Sequence, residues 1–187
     1  PVQRTILSRL FENGTRKVEK TSFVVQFEAL GENGEPVVLT QNEYMRRMKE
    51  MAALQPGMSF YGELPDSYTL VVNTEHPLVK EITAKADEAL DAKVKPLAEK
   101  IDSDNEAINA ARNASGDQPM SPEAKQKVED LEKAVGEART EQNNAIDAYA
   151  AGAPKVNQLV DLALLANGLL KGRHLSDFIA RSIDLLK

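Results

Sequence analysis

Two histidines, His76 and His174, a scatter of carboxylates and no cysteine are what this 187-residue sequence offers for acid–base, metal or nucleophilic chemistry. A metal site needs three or four ligands at set spacing, and a general base needs a partner within hydrogen-bond reach. His76 has neither: no His-Glu-x-x-His run exists, and His174 lies in a different segment. It sits instead in NTEHP at 73–77, where Pro77 suits the first helical position and Asn73, Thr74 or His76 itself can satisfy free backbone donors. Its expected role is structural, with near-neutral titration leaving room for pH sensing. No nucleophile, base and oxyanion donor group together, and neither a glycine-rich phosphate loop nor an acidic Mg cluster can be read. The expectation is a chain without catalytic, cofactor-binding or metal residues. Asn113-Ala114-Ser115 matches a glycosylation sequon and, without a secretion signal, reads as loop.

The remaining chemistry is that of binding. EYMRRMKEMAAL at 43–54 places Tyr44, Met45, Met48 and Met51 at helical spacing. On pattern alone these are either core or a contact face. Unbranched, polarizable methionine adapts to many partner shapes, which suits a promiscuous surface, and Arg46, Arg47 and Lys49 beside it would attract acidic segments. Near the other end, Val156, Leu159, Val160, Leu162, Ala163, Leu164, Leu165, Leu169 and Leu170 go most of the way round a helical wheel. A helix apolar on nearly all sides must be covered on nearly all sides. Phe178, Ile179, Ile183 and Leu186 give the last helix a stripe too apolar for a solvated terminus. A second copy of the same two helices is the economical cover, forming an isologous four-helix bundle that buries on the order of 2,000 Å². The expected interface is Leu159, Leu162, Leu165, Leu169, Phe178, Ile179, Ile183 and Leu186.

The elements that must position these surfaces read as α+β. Ile6, Leu7, Leu10 and Phe11 predict a lead-in helix over 1–14. TSFVVQFEAL at 21–30 alternates with Phe23, Val25, Phe27 and Ala29 on one face; VVL at 37–39 follows the turn cluster GENGEP and can pair back as a hairpin; DSYTLVVN at 66–73 is a third strand. Thr40 with Glu43 gives a capping-box start for the Met-rich helix, and Pro56-Gly57 ends it. Residues 83–153 change character, with 17 alanines and a single aromatic, Tyr149. Leu90, Val94, Leu97, Ile101 and Ile108 form one stripe, and Val128, Leu131, Val135, Ala138, Ala145 and Tyr149 a second, so an antiparallel helical hairpin is expected, kinked at Pro96 and restarted at Ser121-Pro122. Ser176 is the expected cap of the last helix. The organisation is thus one domain from 1–82 and 154–187, interrupted by a hairpin at 83–153.

Charge follows the same division. The hairpin holds 15 acidic and 9 basic side chains, which accounts for the net charge of -6, and the rest balances at 14 against 14. Without a basic stripe nucleic acid is an unexpected partner, and the longest apolar stretch is too short and interrupted for a membrane span. The hairpin charges read as a solvated surface or as a dock for a basic partner.

Three separated stretches resemble one family, the ninety-kilodalton heat-shock proteins, in the right order. LVVNTEHPLVKEI at 70–82 is similar to the family's Asn, two residues, His-Pro and an aliphatic pair. EYMRRMKEMAAL is similar to the Met-rich amphipathic helix of its C-terminal domain, and LVDLALLANGLLKG at 159–172 with DFIARSIDLL resembles its terminal dimerization helices. The hairpin departs from the pattern, looking like an insertion into a connection that most members keep short. The chain stops at SIDLLK rather than Met-Glu-Glu-Val-Asp, which favours a bacterial form. The resemblance implies a homodimerizing, client-contacting third of a cytoplasmic, ATP-dependent stress chaperone. ATP and Mg would then belong to an N-terminal domain outside this chain, and Tyr44, Met45, Met48 and Met51 would touch unfolded or partly folded clients. The alternative is a non-catalytic scaffold or adaptor acting through the hairpin.

Overall fold

The computed structural model describes residues 2–54, 65–116 and 119–187. Their elements are α1 (Val2–Thr15), β1 (Thr21–Glu28), β2 (Val37–Gln41), α2 (Glu43–Leu54), β3 (Asp66–Asn73), α3 (Pro77–Ser115), α4 (Pro122–Ala151), α5 (Pro154–Ala166) and α6 (Gly172–Leu185). The class is α+β, as the sequence implies. Three strands form one sheet in the order β1-β3-β2.

That order corrects the expected hairpin. β2 does not pair with β1; β3 lies between them, parallel to β1 and antiparallel to β2. The reason is burial. The second half of β3, Leu70 through Asn73, is buried at every position and so on both faces, while β1 alternates half-buried and exposed positions, as an edge strand does. Register aligns Val25 and Leu39 with Leu70, and Phe27 and Val37 with Val72, so all three strands present one apolar face. Ala29, expected on that face, lies beyond the end of β1 and is exposed.

On this face sit α1 and α5. Ile6, Leu7, Leu10 and Phe11 are all buried, as their spacing predicts. Gly14 lets α1 approach α5: a Cβ there would meet the Val160 side chain at 2.9 Å. From α5, Val156, Leu159, Val160, Ala163 and Leu164 complete the core.

The NTEHP segment locks the end of the sheet. Buried Asn73 accepts from the backbone N–H of Leu30 at 3.0 Å and of Glu75 at 3.1 Å, and its amide donates to the carbonyls of Gly31 at 2.8 Å and Glu35 at 3.2 Å. It therefore holds the β1–β2 connection against the end of β3. His76 caps α3 through Nδ1, which accepts from Leu78 N at 3.1 Å, with Pro77 at the first helical position. Its role at the helix start is the one its sequence setting predicts.

The two hairpin helices are seated deeper than their composition implies. α3 starts at Pro77 and continues as one 39-residue helix through Pro96. Its Val79, Ile82, Ala86, Leu90 and Val94, and Ile146 and Ala150 of α4, belong to the main core. Beyond them the pair becomes a projecting arm with its own small core of Ile101, Ile108, Val128, Val135 and Ala138, flanked by Leu97 and Leu131. Ser121 caps α4, its hydroxyl accepting from Ala124 N at 3.2 Å.

Other boundaries differ from expectation. α2 is capped by Asn42, whose Oδ1 accepts from Met45 N at 3.3 Å, rather than by Thr40. α6 begins at Gly172, placing Ser176 inside the helix, where its hydroxyl donates to the Gly172 carbonyl. Leu169 and Leu170 follow the end of α5, which Gly168 terminates at φ +69°. Pro56-Gly57 lies outside the described residues.

The root of the arm is fastened to α1 by charge. Arg9 grips Asp147 of α4 with Nε–Oδ1 at 2.7 Å and a second contact at 2.8 Å, Asn13 donates at 2.8 Å, and Arg16 approaches at 3.3 Å. Arg9 above all holds the Asp147 carboxyl well below the usual carboxylate range, against the opposing pull of burial. Such a group stabilises the fold above its unfolded pKa near 4, and that contribution fades as pH falls toward the depressed folded value. Asp147→Asn should lower stability by about 1–2 kcal/mol at neutral pH. In urea titrations followed by circular dichroism, the gap between variant and wild type should narrow as pH drops below about 4.

Candidate interaction surfaces

α2 follows β2 and leans on β3. Ala52 is its only fully buried residue, and Met45 and Met48 are half-buried. Tyr44 and Met51 face outward at 68% and 49% exposure, joined by Leu54 at 82%. The four expected contact residues therefore divide: Tyr44 and Met51 form an open surface, while Met45 and Met48 line its inner margin.

The cations of α2 have partners within the chain. Arg46 pairs with Glu50 at 2.6 Å, Arg47 with Glu43 at 2.6 Å, and Lys49 with Asp66 at 2.8 Å. Glu43, Arg47, Arg46 and Glu50 sit four residues apart on one helix, so each charge finds a local partner before any external one. What α2 offers outward is the Tyr44 ring and the Met51 thioether beside the exposed ion pairs of Arg46 and Arg47.

α5 has two apolar faces. Leu159 is buried in the domain's own core together with Val160 and Leu164. The other face carries Leu162 at 50% and Leu165 at 38% exposure. α6 carries exposed Ile179 at 51% and Ile183 at 55%, with Leu186 just past its end at 88%, at spacings i, i+4 and i+7. Leu169 and Phe178 are half-buried against the main core. Of the eight residues expected at a mutual interface, five are exposed, Leu169 and Phe178 are half-buried and Leu159 is buried in the core.

Charge locks the two helices to the rest of the domain. Asp161, fully buried on α5, accepts from Lys17 after α1 and from Arg181 of α6. Gln158 Nε2 donates to Ser182 Oγ at 2.6 Å, a second link from α5 to α6. At the start of α5, Lys155 and Lys85 both contact Glu81 of α3, at 2.7 and 2.8 Å, and draw its carboxyl down to about 2. Sequence reading missed Asp161. Its only local signal is a carboxylate inside the apolar run LVDLALL, and its partners are remote in the chain.

Among the described residues, no group of three or more His, Cys, Asp or Glu side chains is placed to hold a metal ion. None of the described helices is long and apolar enough to cross a membrane.

Similarity to known proteins covers nearly the whole chain. Chaperone protein HtpG of Bacteroides fragilis is 42% identical over 183 residues, taking in 96% of this chain and 27% of that protein. The HtpG of Bacteroides thetaiotaomicron is 37% identical over the same shares, and that of Porphyromonas gingivalis is 43% identical over 187 residues, 98% of this chain and 27% of that protein. The chain spans about a quarter of the length of the curated relatives it matches. With so little of it left unmatched, the arm is common to these relatives. No family model matches the chain, and no solved structure does.

Because Tyr44 and Met51 are open to solvent, changing them should cost the fold little. Tyr44→Ser and Met51→Ser should each shift unfolding free energy by less than about 0.5 kcal/mol in urea titrations. Ala52→Asp, which forces a charge under α2, should cost about 2 kcal/mol or more.

Proposed function

Because this chain is a homologue, over nearly its whole length, of part of the bacterial HtpG chaperones, we propose that it is the C-terminal dimerization domain of such a chaperone, the bacterial form of the ninety-kilodalton heat-shock family. Two copies pair through α5 and α6, and α2 meets unfolded or partly folded clients. The observation that carries this reading is the exposure of five large aliphatic side chains, Leu162, Leu165, Ile179, Ile183 and Leu186, on two consecutive helices that pack on each other and at the turn that ends the second. Branched aliphatic side chains lined up along two neighbouring helices are costly to leave in water, and a flat self-complementary strip is what a twofold axis can close.

ATP and Mg act in parts of the whole chaperone beyond this segment, and no turnover is assigned to it. The setting is the cytoplasm, under folding stress. An adaptor acting through the arm has less support, because none of the exposed large apolar side chains among the described residues lies between Leu78 and Leu162.

On α2, exposed Tyr44 and Met51 supply adaptable apolar contact beside side chains whose charges are already neutralised. That chemistry fits apolar stretches of an unfolded chain better than acidic ones.

Light scattering on the purified chain should return twice 20.5 kDa at micromolar concentration. Leu165→Asp and Ile183→Asp should each return a monomer that keeps its circular dichroism spectrum, and a monomeric wild type would sink the pairing. Tyr44→Ser combined with Met51→Ser should leave the mass unchanged and weaken binding of a reduced, unfolded protein probe about tenfold. Unaltered binding would remove α2 from the client surface.

A further inference from the structure

α6 is held to the domain by very little. None of its residues is fully buried, and its inner side contributes only half-buried Leu175 and Phe178 to the main core. The other attachments are Arg181 to Asp161 and Ser182 to Gln158. A 14-residue helix is marginal by itself in water, so α6 is helical chiefly because it is docked.

The Arg181 contact differs in kind from the rest. Asp161 has a side chain only 1% exposed, and a carboxylate so placed is tolerable only with its charge matched. Lys17 matches it from one side and Arg181 from the other. Withdrawing α6 would strip Asp161 of one cation and open the other to water. The guanidinium is planar and directional, so the contact fixes the rotation of α6 about its axis as well as its distance. The seam is not fully satisfied within one copy: Arg181 Nε and Gln158 Oε1 are both buried without a partner.

Rotation of α6 about its axis decides which of its side chains stand beside Leu162 and Leu165 of α5. Ile179 and Ile183 flank Arg181 on the helix, and Leu162 adjoins Asp161 on α5. We propose that the Asp161–Arg181 pair, backed by Lys17, is a positioning device for self-association: it sets α6 on α5 so that Ile179 and Ile183 fall into line with Leu162 and Leu165 as one surface for a second copy. The inference rests on the pairing through α5 and α6 proposed above. It adds that the surface is assembled by a polar latch beneath it, from residues that need not touch the partner copy.

The test uses the 187-residue chain in sedimentation over a dilution series, with backbone amide exchange read at 172–185 and at 70–72 in β3. Wild type should associate and protect α6. Arg181→Met should weaken association about 100-fold or more and release the α6 amides while those of β3 stay protected. Arg181→Lys, which keeps the charge, should retain most of the association. The triple variant Lys17→Met, Asp161→Leu, Arg181→Met replaces the latch by apolar packing and should recover both association and α6 protection. The inference is overturned if Arg181→Met associates like wild type, if it loses β3 protection along with α6, or if the triple variant protects α6 without associating. A wild type that is monomeric throughout would overturn the pairing itself, an outcome distinct from a dimer indifferent to Arg181.

Discussion

A single helix with two apolar sides and one buried charge governs this domain. α5 receives α1 through the glycine-sized gap at Gly14, covers the sheet with Val156, Val160 and Leu164, and anchors α6 through Asp161. Its amphipathic pattern is doubled rather than absent: one stripe is used at home and the other, Leu162 with Leu165, is left over. Every feature of the proposed pairing surface follows from that surplus, because a helix wedged into a core on one side cannot rotate to hide the other.

Local signals in the sequence were faithful at some element starts and not at others. The strand at 66–73, the Pro77 start of α3 and the Ser121 cap of α4 appear where their residues put them, whereas the Thr40–Glu43 capping box and the Ser176 cap do not. The surplus on the last two helices was legible, since it is a property of spacing alone. Strand order was not, because turn chemistry at 31–36 suggests a hairpin, while which strand is covered on both faces depends on how the whole chain packs. Leu159 and Leu162 look alike in a helical wheel, and only the position of α1 and the sheet tells which is inside.

Ionic contacts were the least legible. Arg46 and Arg47 read as a lure for acidic partners, yet i, i+4 neighbours claim them. That pairing could have been read from spacing. Asp161 could not, because its two cations come from opposite ends of the chain and meet only once three helices are packed. The His-Pro motif lies between these extremes. The histidine cap follows from its place before Pro77, whereas the three bonds through which Asn73 gathers the β1–β2 connection depend on a turn more than thirty residues upstream.

The arm has a mechanical side. At about 1.5 Å of rise per residue, the 39 residues of α3 make a rod roughly 58 Å long. Its lower end is clamped in the main core and begins four residues after Asn73 closes the central strand. A rod built into a wall at one end transmits force as a lever does. A sideways load at its far end is delivered, with mechanical advantage, to the Asn73–His76 corner where strand, turn and helix are stitched together.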